Sequence, residues 1–385
     1  LPTISFRDVK IQRRENDLVV GTFGRGIYIL DDFSPLRQIN EESLKQEALL
    51  FPSRDALWYL PERFHTSTHG DFEYQAENPD FGATFTYYLR DGIKSLSEQR
   101  EDQESEMEEK DRYPLYPSWE DLETELREAD PTVYLVIENE QGNPIRKVNA
   151  EAEKGLHRVT WDLRLSSSRA LGSGSSDDVG PLASPGTYNA TLFSNANGET
   201  RKLTDAVSFN VKPLSYGTVE GSVSPQERSA MMIDVSDLRR RLSTANSKID
   251  HLKAQLKSFR VALDRSTAVT GDSEMRFEQL RQEIFSIEEM VSGKRSSRGF
   301  GSSPATISSR LSMVELGRVN TWGLTDTQKQ QMVYVQVALE ELEPKVDNLF
   351  KNDFPAFKKT LLEAGAPWIP DGLTDTNSDE PEEMD

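Results

Sequence analysis

The feature that most constrains this chain lies in its second half. Val235, Leu238, Leu242, Ala245, Ile249, Leu252, Leu256, Phe259 and Leu263 recur at alternating steps of three and four. That spacing lines one side of a long helix with apolar side chains, and such a seam must be buried against other helices. Phe277, Leu280, Ile284, Ile287 and Val291 repeat the rule after the break at Thr270-Gly271-Asp272, which predicts an antiparallel hairpin partner. Residues 295–304 read as a loop, and Ile307, Leu311 and Val314 as a shorter helix. Met332, Val335, Leu339, Leu342, Val346 and Leu349 mark another helix, in which Pro344 is expected to make a kink or a break. Several helices in succession favour an antiparallel helical bundle over residues 225–365, with an intermolecular coiled coil as the other use of the heptads.

The first half has a different period. Asp17 to Phe23 (DLVVGTF) and Ile27 to Leu30 (IYIL) are rich in β-branched and aromatic residues, and Gly24-Arg25-Gly26 between them supplies the positive φ of a short hairpin loop. Ile4 to Ile11 reads as a third strand. An isolated meander of this size has little against which to bury its apolar side chains, so it needs neighbours from elsewhere. Residues 34–80 read as a mixed connector with four prolines and the aromatics Phe51, Trp58, Tyr59, Phe64 and Phe72, packing across the flanking domains. Short strands then follow at Ala83 to Leu89, Thr132 to Glu138, Ile145 to Val148, Gly155 to Arg164, Tyr188 to Phe193 and Ala206 to Val211. Gly142-Asn143-Pro144, Pro185-Gly186 and Asn197-Gly198 supply the turns, and this spacing predicts an Ig-like β-sandwich over residues 81–213. The acidic stretch 97–128 is a solvated insertion or exposed helix, and the Ser- and Gly-rich run from Ser166 to Ser184 a long flexible loop.

The run Glu15-Asn16-Asp17-Leu18-Val19-Val20-Gly21-Thr22-Phe23-Gly24-Arg25-Gly26-Ile27-Tyr28-Ile29-Leu30-Asp31-Asp32 resembles the closing blade of the BNR-repeat, sortilin (VPS10)-like β-propeller proteins, a family described as glycosyl hydrolase-like or sialidase-like. The stretches GLHRVTWDLR and SPGTYNATL resemble FlgD-like Ig modules, in which an inward Trp and Tyr help build the core. Ala364-Gly365-Ala366-Pro367-Trp368-Ile369-Pro370 resembles the closing segment of the same propeller family. The resemblance implies a multidomain β plus α architecture: partial last blade at 1–33, connector, Ig-like domain, helical bundle and, from residue 371, a disordered acidic tail. The opening LPTISFRDVKIQ carries no initiator Met, basic n-region or apolar h-region, so the chain reads as a fragment whose other blades and export signal lie upstream.

Composition narrows the partners. A formal net charge of −20 argues against nucleic acid, because a phosphate-binding surface needs clustered Lys and Arg. The absence of cysteine excludes a disulfide framework and thiolate metal sites. No stretch approaches the roughly 18 to 20 apolar residues of a membrane helix.

Candidate sites each meet a plainer reading. Gly21 to Gly26 might pass for a phosphate loop, but it leads into a second strand where a dinucleotide loop leads into a helix. His65 and His69 stand four apart, yet Thr66-Ser67-Thr68 and Gly70 disfavour a helix and no third His is near. His157, in a strand, and His251, on a helix flank, read as structural. Glycosidase chemistry needs two carboxylates flanking the scissile bond, whereas Asp31 and Asp32 are adjacent and read as ending a strand. The family resemblance implies an arginine cluster and a Tyr with its acid partner, drawn from several blades; Arg25 alone is placed to face such a pocket. No Ser-x-Asp-x-Gly-x-Thr-Trp box and no Gly-x-Ser-x-Gly elbow occurs. Asn189-Ala190-Thr191 matches a glycosylation sequon, read as chance in a protein of bacterial character.

No catalytic, cofactor-binding or metal-ligating residue is therefore assigned, and no cofactor is expected. The expectation is a noncatalytic C-terminal scaffold of a secreted, periplasmic or outer-surface propeller protein, with upstream blades as its first partner and an extracellular protein or glycan as a second. The alternative is part of a sialidase-like glycoside hydrolase whose catalytic residues lie upstream, and a weaker one is a peptide-binding sortilin-like receptor.

Overall fold

The computed structural model describes residues 3–60, 78–113, 116–171, 180–196, 198–214, 223–267, 271–293, 305–320 and 322–370. The fold is mixed α and β, in two compact units: Leu1–Ser166 with Leu182–Gly217, and Ser167–Pro181 with Thr218–Asp385.

The first unit opens with β1 (Phe6–Gln12), β2 (Asp17–Thr22) and β3 (Ile27–Leu30), an antiparallel three-stranded sheet in chain order. Next come β4 (Ala48–Leu50), β5 (Ala56–Trp58) and β6 (Ala83–Leu89), then two helices, α1 (Leu96–Glu109) and α2 (Trp119–Arg127). The remaining strands are β7 (Thr132–Asn139), β8 (Pro144–Ala150), β9 (Gly155–Trp161), β10 (Gly186–Ala196), β11 (Glu199–Lys202) and β12 (Val207–Pro213). They form one sheet in the order β5-β12-β10-β7-β8, with β11 also on β10, and a second in the order β4-β6-β9.

Alternation explains both sheets. Phe85, Tyr87 and Leu89 of β6, Leu135 and Ile137 of β7, Ala190 and Leu192 of β10 and Phe209 and Val211 of β12 are all buried in one hydrophobic core with Trp161. The Trp161 ring meets Tyr188 edge-on at 5.3 Å, and Phe85 meets Phe209 at 4.9 Å. Each polar tip in this core finds a backbone oxygen: Trp161 Nε1 donates to Arg164 O at 2.8 Å and Trp58 Nε1 to Ala183 O at 2.9 Å. Burial pushes the Tyr188 phenol up, and that of Tyr87 up to about 12.

Two strands lie inside the span read as connector. β4 pairs with β6, and β5 runs parallel to β12, so residues 48–58 complete the two sheets. Three residues each is too short for an alternation to show. The Ser166 to Ser184 run is not simply a flexible loop: Arg164 bridges to Leu182 where it departs and returns, and Ala170 N donates to Ser243 Oγ at 3.1 Å. Its residues 172–179 lie outside the described set.

The second unit holds α3 (Pro225–Asp264), α4 (Gly271–Ser292), α5 (Ile307–Glu315), α6 (Asp326–Asn348) and α7 (Phe354–Glu363). At 40 residues α3 is about 60 Å long. Its heptad seam is buried in the chain's own core: Val235, Leu238, Leu242, Ala245, Ile249, Leu252 and Phe259 pack with side chains from α4, α5, α6 and α7. Leu256 and Leu263 are partly buried against the same core. Ion pairs flank it, Arg241 to Glu343 at 2.8 Å and Lys253 to Glu288 at 2.8 Å. Capping boxes at Ser224/Glu227, Thr306/Ser309 and Thr325/Gln328 start α3, α5 and α6.

Pro344 does not interrupt α6, which runs on to Asn348. The residue is exposed and removes only the donor to the Glu340 carbonyl, one turn back on the same exposed side. The irregularity comes later, as a π-turn at Leu349–Asp353 that joins α6 to α7.

Candidate functional site

The leading sheet leaves apolar side chains in water that a self-contained sheet would bury. Register aligns Val9 with Val20 and Tyr28, and Ile11 with Leu18 and Leu30, which places these residues on one face. Lys10, Val19 and Ile29 share the other face, together with Ile27. Only Val20 is buried. Val9 is 53% exposed, Ile29 60% and Ile27 69%, so apolar side chains meet water on both faces. Among the described residues, no further strand pairs with β1 or β3. Among the described residues both edges are therefore open to another strand, although the Val9 amide already donates to Asp8 Oδ1 at 2.9 Å.

The hairpin between β2 and β3 is built as its sequence implies. Gly24 and Gly26 have φ of 76° and 80°, and Thr22 closes the loop by donating from its amide and its hydroxyl to Gly26 O, at 3.2 and 2.7 Å. Arg25 projects from this turn into solvent, and β3 follows where a phosphate-binding helix would have to begin.

Asp31 and Asp32 end the strand. Asp32 has a φ of 38°, accepts from Ser34 Oγ at 2.6 Å through its carboxylate and donates its own amide to Asp17 Oδ1 at 3.1 Å. Arg158, from β9, donates to the carbonyl oxygens of both aspartates, at 2.9 Å for Asp32. The Asp32 carboxylate thus holds local backbone in place, as an Asx turn does.

The histidines divide. His65 and His69 lie outside the described residues. His157 has both ring nitrogens occupied, Nδ1 with Glu151 Oε2 at 2.7 Å and Nε2 with Glu153 O at 2.8 Å, and its ring stacks on Tyr87. His251 packs beside the Phe350 ring at 5.4 Å. Among the described residues, no group of three or more His, Asp or Glu side chains is arranged to hold a metal ion. Asn189 sits in the middle of β10, paired with Glu138 on one side and Ser208 on the other.

An open cleft of about 280 Å³ in the second unit is lined by Asp272, Ser273, Arg276, Asp353, Ala356, Phe357 and Thr360. Arg276 is committed to Asp353 at 2.6 Å, and Asn348 donates to the other Asp353 oxygen at 2.5 Å. Among the described residues this lining contains no imidazole, and its Asp353 carboxylate is taken up by those two partners. Buried Arg228 likewise serves structure, donating to Asn320 O at 2.7 Å and Arg318 O at 2.9 Å.

One surface escaped the sequence reading. Trp119 and Leu126 stand exposed on α2, within the acidic stretch, and the signal for that helix was present as a capping box at Ser118 and Asp121.

No family model matches the chain, and no curated protein matches it. Among the described residues no helix is long and apolar enough to cross a membrane.

Proposed function

We propose that this chain is the noncatalytic scaffold region of a BNR-repeat, sortilin-like propeller protein, and that its leading sheet is part of a blade completed by strands from outside the chain. The observation that carries the reading is the exposure of apolar side chains on both faces of β1, β2 and β3. A propeller blade packs against a neighbour on each face, a setting in which a small antiparallel sheet needs apolar residues on both. The unpaired outer edges support the same reading, since blades usually hold four strands.

The rest of the chain is read as the buttress. Around Trp161 and Tyr188 the two packed sheets are taken as an Ig-like sandwich, a reading supported by the Tyr188 hydroxyl, which donates to Ser184 O at 2.5 Å and ties a corner of the domain. The five helices on one core are taken as a helical bundle. The resemblance at residues 15–32 and 364–370 is also the ground for proposing a secreted, periplasmic or outer-surface location.

The test is the structure of the chain together with the residues encoded upstream of Leu1. Residues 6–30 are expected to join a further strand, with Ile27 and Ile29 covered by a neighbouring sheet. Strands 6–30 standing alone in the longer protein would refute the reading. The noncatalytic part has its own assay: no hydrolysis of aryl glycosides by this chain is expected, and turnover abolished by Arg25→Ala or Asp31→Asn would overturn it.

A further inference from the structure

Between β6 and β7 the chain carries two helices that give no side chain to the unit's core. None of the residues of α1 or α2 is buried. The two helices are held by charge: Arg100 Nε donates to Glu125 Oε1 at 2.9 Å and Nη2 to Oε2 at 3.1 Å, while Leu96 N donates to Glu128 Oε2 at 2.6 Å. Capping boxes at Ser95/Glu98 and Ser118/Asp121 fix where each helix starts. What results is a positioned platform, since a bidentate Arg–carboxylate pair sets orientation as well as distance.

On α2 and in the connection that leads to it stand the most exposed large apolar side chains among the described residues of the first unit. Tyr113 is 97% exposed, Tyr116 88%, Trp119 85% and Leu126 86%. Trp119, Leu122 and Leu126 follow one another at the spacing of a single helical face. A nine-residue helix gains little from propensity alone and normally owes its stability to burying such a face. Trp and Tyr are also the residue types that dominate binding energy at protein interfaces.

Charge states what kind of partner covers the face. Residues 96–130 hold fourteen acidic side chains against four basic ones, a net charge of −10, half of the −20 carried by all 385 residues. Nucleic acid and anionic membrane are repelled by such a rim, and a second copy would set −10 against −10. We infer that the α1–α2 platform docks a Lys/Arg-rich protein segment whose apolar centre receives Trp119 and Leu126. The basic side chains meet the carboxylates of both helices at the rim, where they steer the encounter. This inference stands on residues remote in sequence from the leading sheet and holds or fails independently of the propeller reading.

The experiment uses the full chain and a fluorescein-labelled amphipathic helical peptide of Leu and Lys, with a Leu–Glu peptide of the same pattern as control. Anisotropy is expected to give binding of the Lys peptide that weakens about tenfold between about 50 and 300 mM salt, and none of the Glu peptide. The Trp119→Ala, Leu126→Ala double variant is expected to weaken binding at least about tenfold, with helix content and melting temperature unchanged. Trp119→Phe is expected to recover part of the loss. Equal binding by the double variant and the parent would reduce the effect to nonspecific charge and overturn the inference. A dimer in sedimentation velocity that Trp119→Ala dissociates would make a second copy the occupant and overturn it too.

Discussion

Replacing Ile27 and Ile29 together by Thr separates a sheet that is complete from one that awaits a neighbour. Threonine keeps the β-branched shape that suits a strand, so the change removes apolar area and little else from local preference. In the chain alone both side chains are already largely in water, 69% and 60% exposed, so the double substitution should cost no more than about 1 to 2 kcal/mol. Burying an isoleucine fully contributes roughly 1.5 to 3 kcal/mol, and some two thirds of that remains available at each of these positions. With the neighbouring blade proposed above in place, the pair should therefore cost about 2 to 4 kcal/mol more. Native-state hydrogen exchange of the β2 amides is the suitable assay, because it reads a local free energy where a global melt of several units does not. Val20→Thr serves as the control: that side chain is buried here, so its hydroxyl should cost about 1 to 3 kcal/mol in either context. A double-variant effect of the same size in both contexts would refute the reasoning.

Gly82→Ala should destabilise the first unit by about 2 to 5 kcal/mol, because a Cβ there falls well inside contact distance of the Trp161 carbonyl at a φ of 141°, and backbone cannot step aside. A thermal melt of the first unit that moves by less than about 2 °C would contradict this. Acid should weaken both units: hydrogen bonds from Lys212 and Asn210 hold the Asp55 carboxyl below its usual range, and those from Lys248 and Lys351 do the same for Asp347. For a depressed carboxyl, the stabilisation is complete above the unfolded value of about 4 and is lost as pH falls through the lower folded value. Urea midpoints should not change with pH on account of these two groups between about pH 7 and 5, where both contribute in full, and should fall below about pH 4. An acid limb unchanged by Asp55→Asn with Asp347→Asn would count against the assignment.

Much of this architecture can be read from residue order, and the misses have physical causes. Ile27 to Leu30 and Ala83 to Leu89 were delimited to the residue, because glycines with positive φ or alternating aromatics mark their ends. The seam of α3 was legible because one long helix repeats its rule many times. By contrast β4 and β5 have three residues each and owe their strand character to pairing with β6 and β12, which no local window contains. Pro344 does not end α6, because a proline on the solvent side of a helix gives up a single intrahelical hydrogen bond. As for sites, exposure on both faces of β1–β3 and along α2 is a property of what surrounds a residue. Val20 and Ile29 are alike in type, one buried and one in water, and only coordinates tell them apart.

The excursion from Ser167 to Pro181 carries a consequence for synthesis. Its backbone is held by Ser243, 73 positions further along the chain. At about 5 to 20 residues per second, that partner leaves the ribosome roughly 4 to 15 seconds after the loop does. Over that interval the nascent sheets can close on Trp161, while the loop they extrude waits unclaimed until α3 has been made.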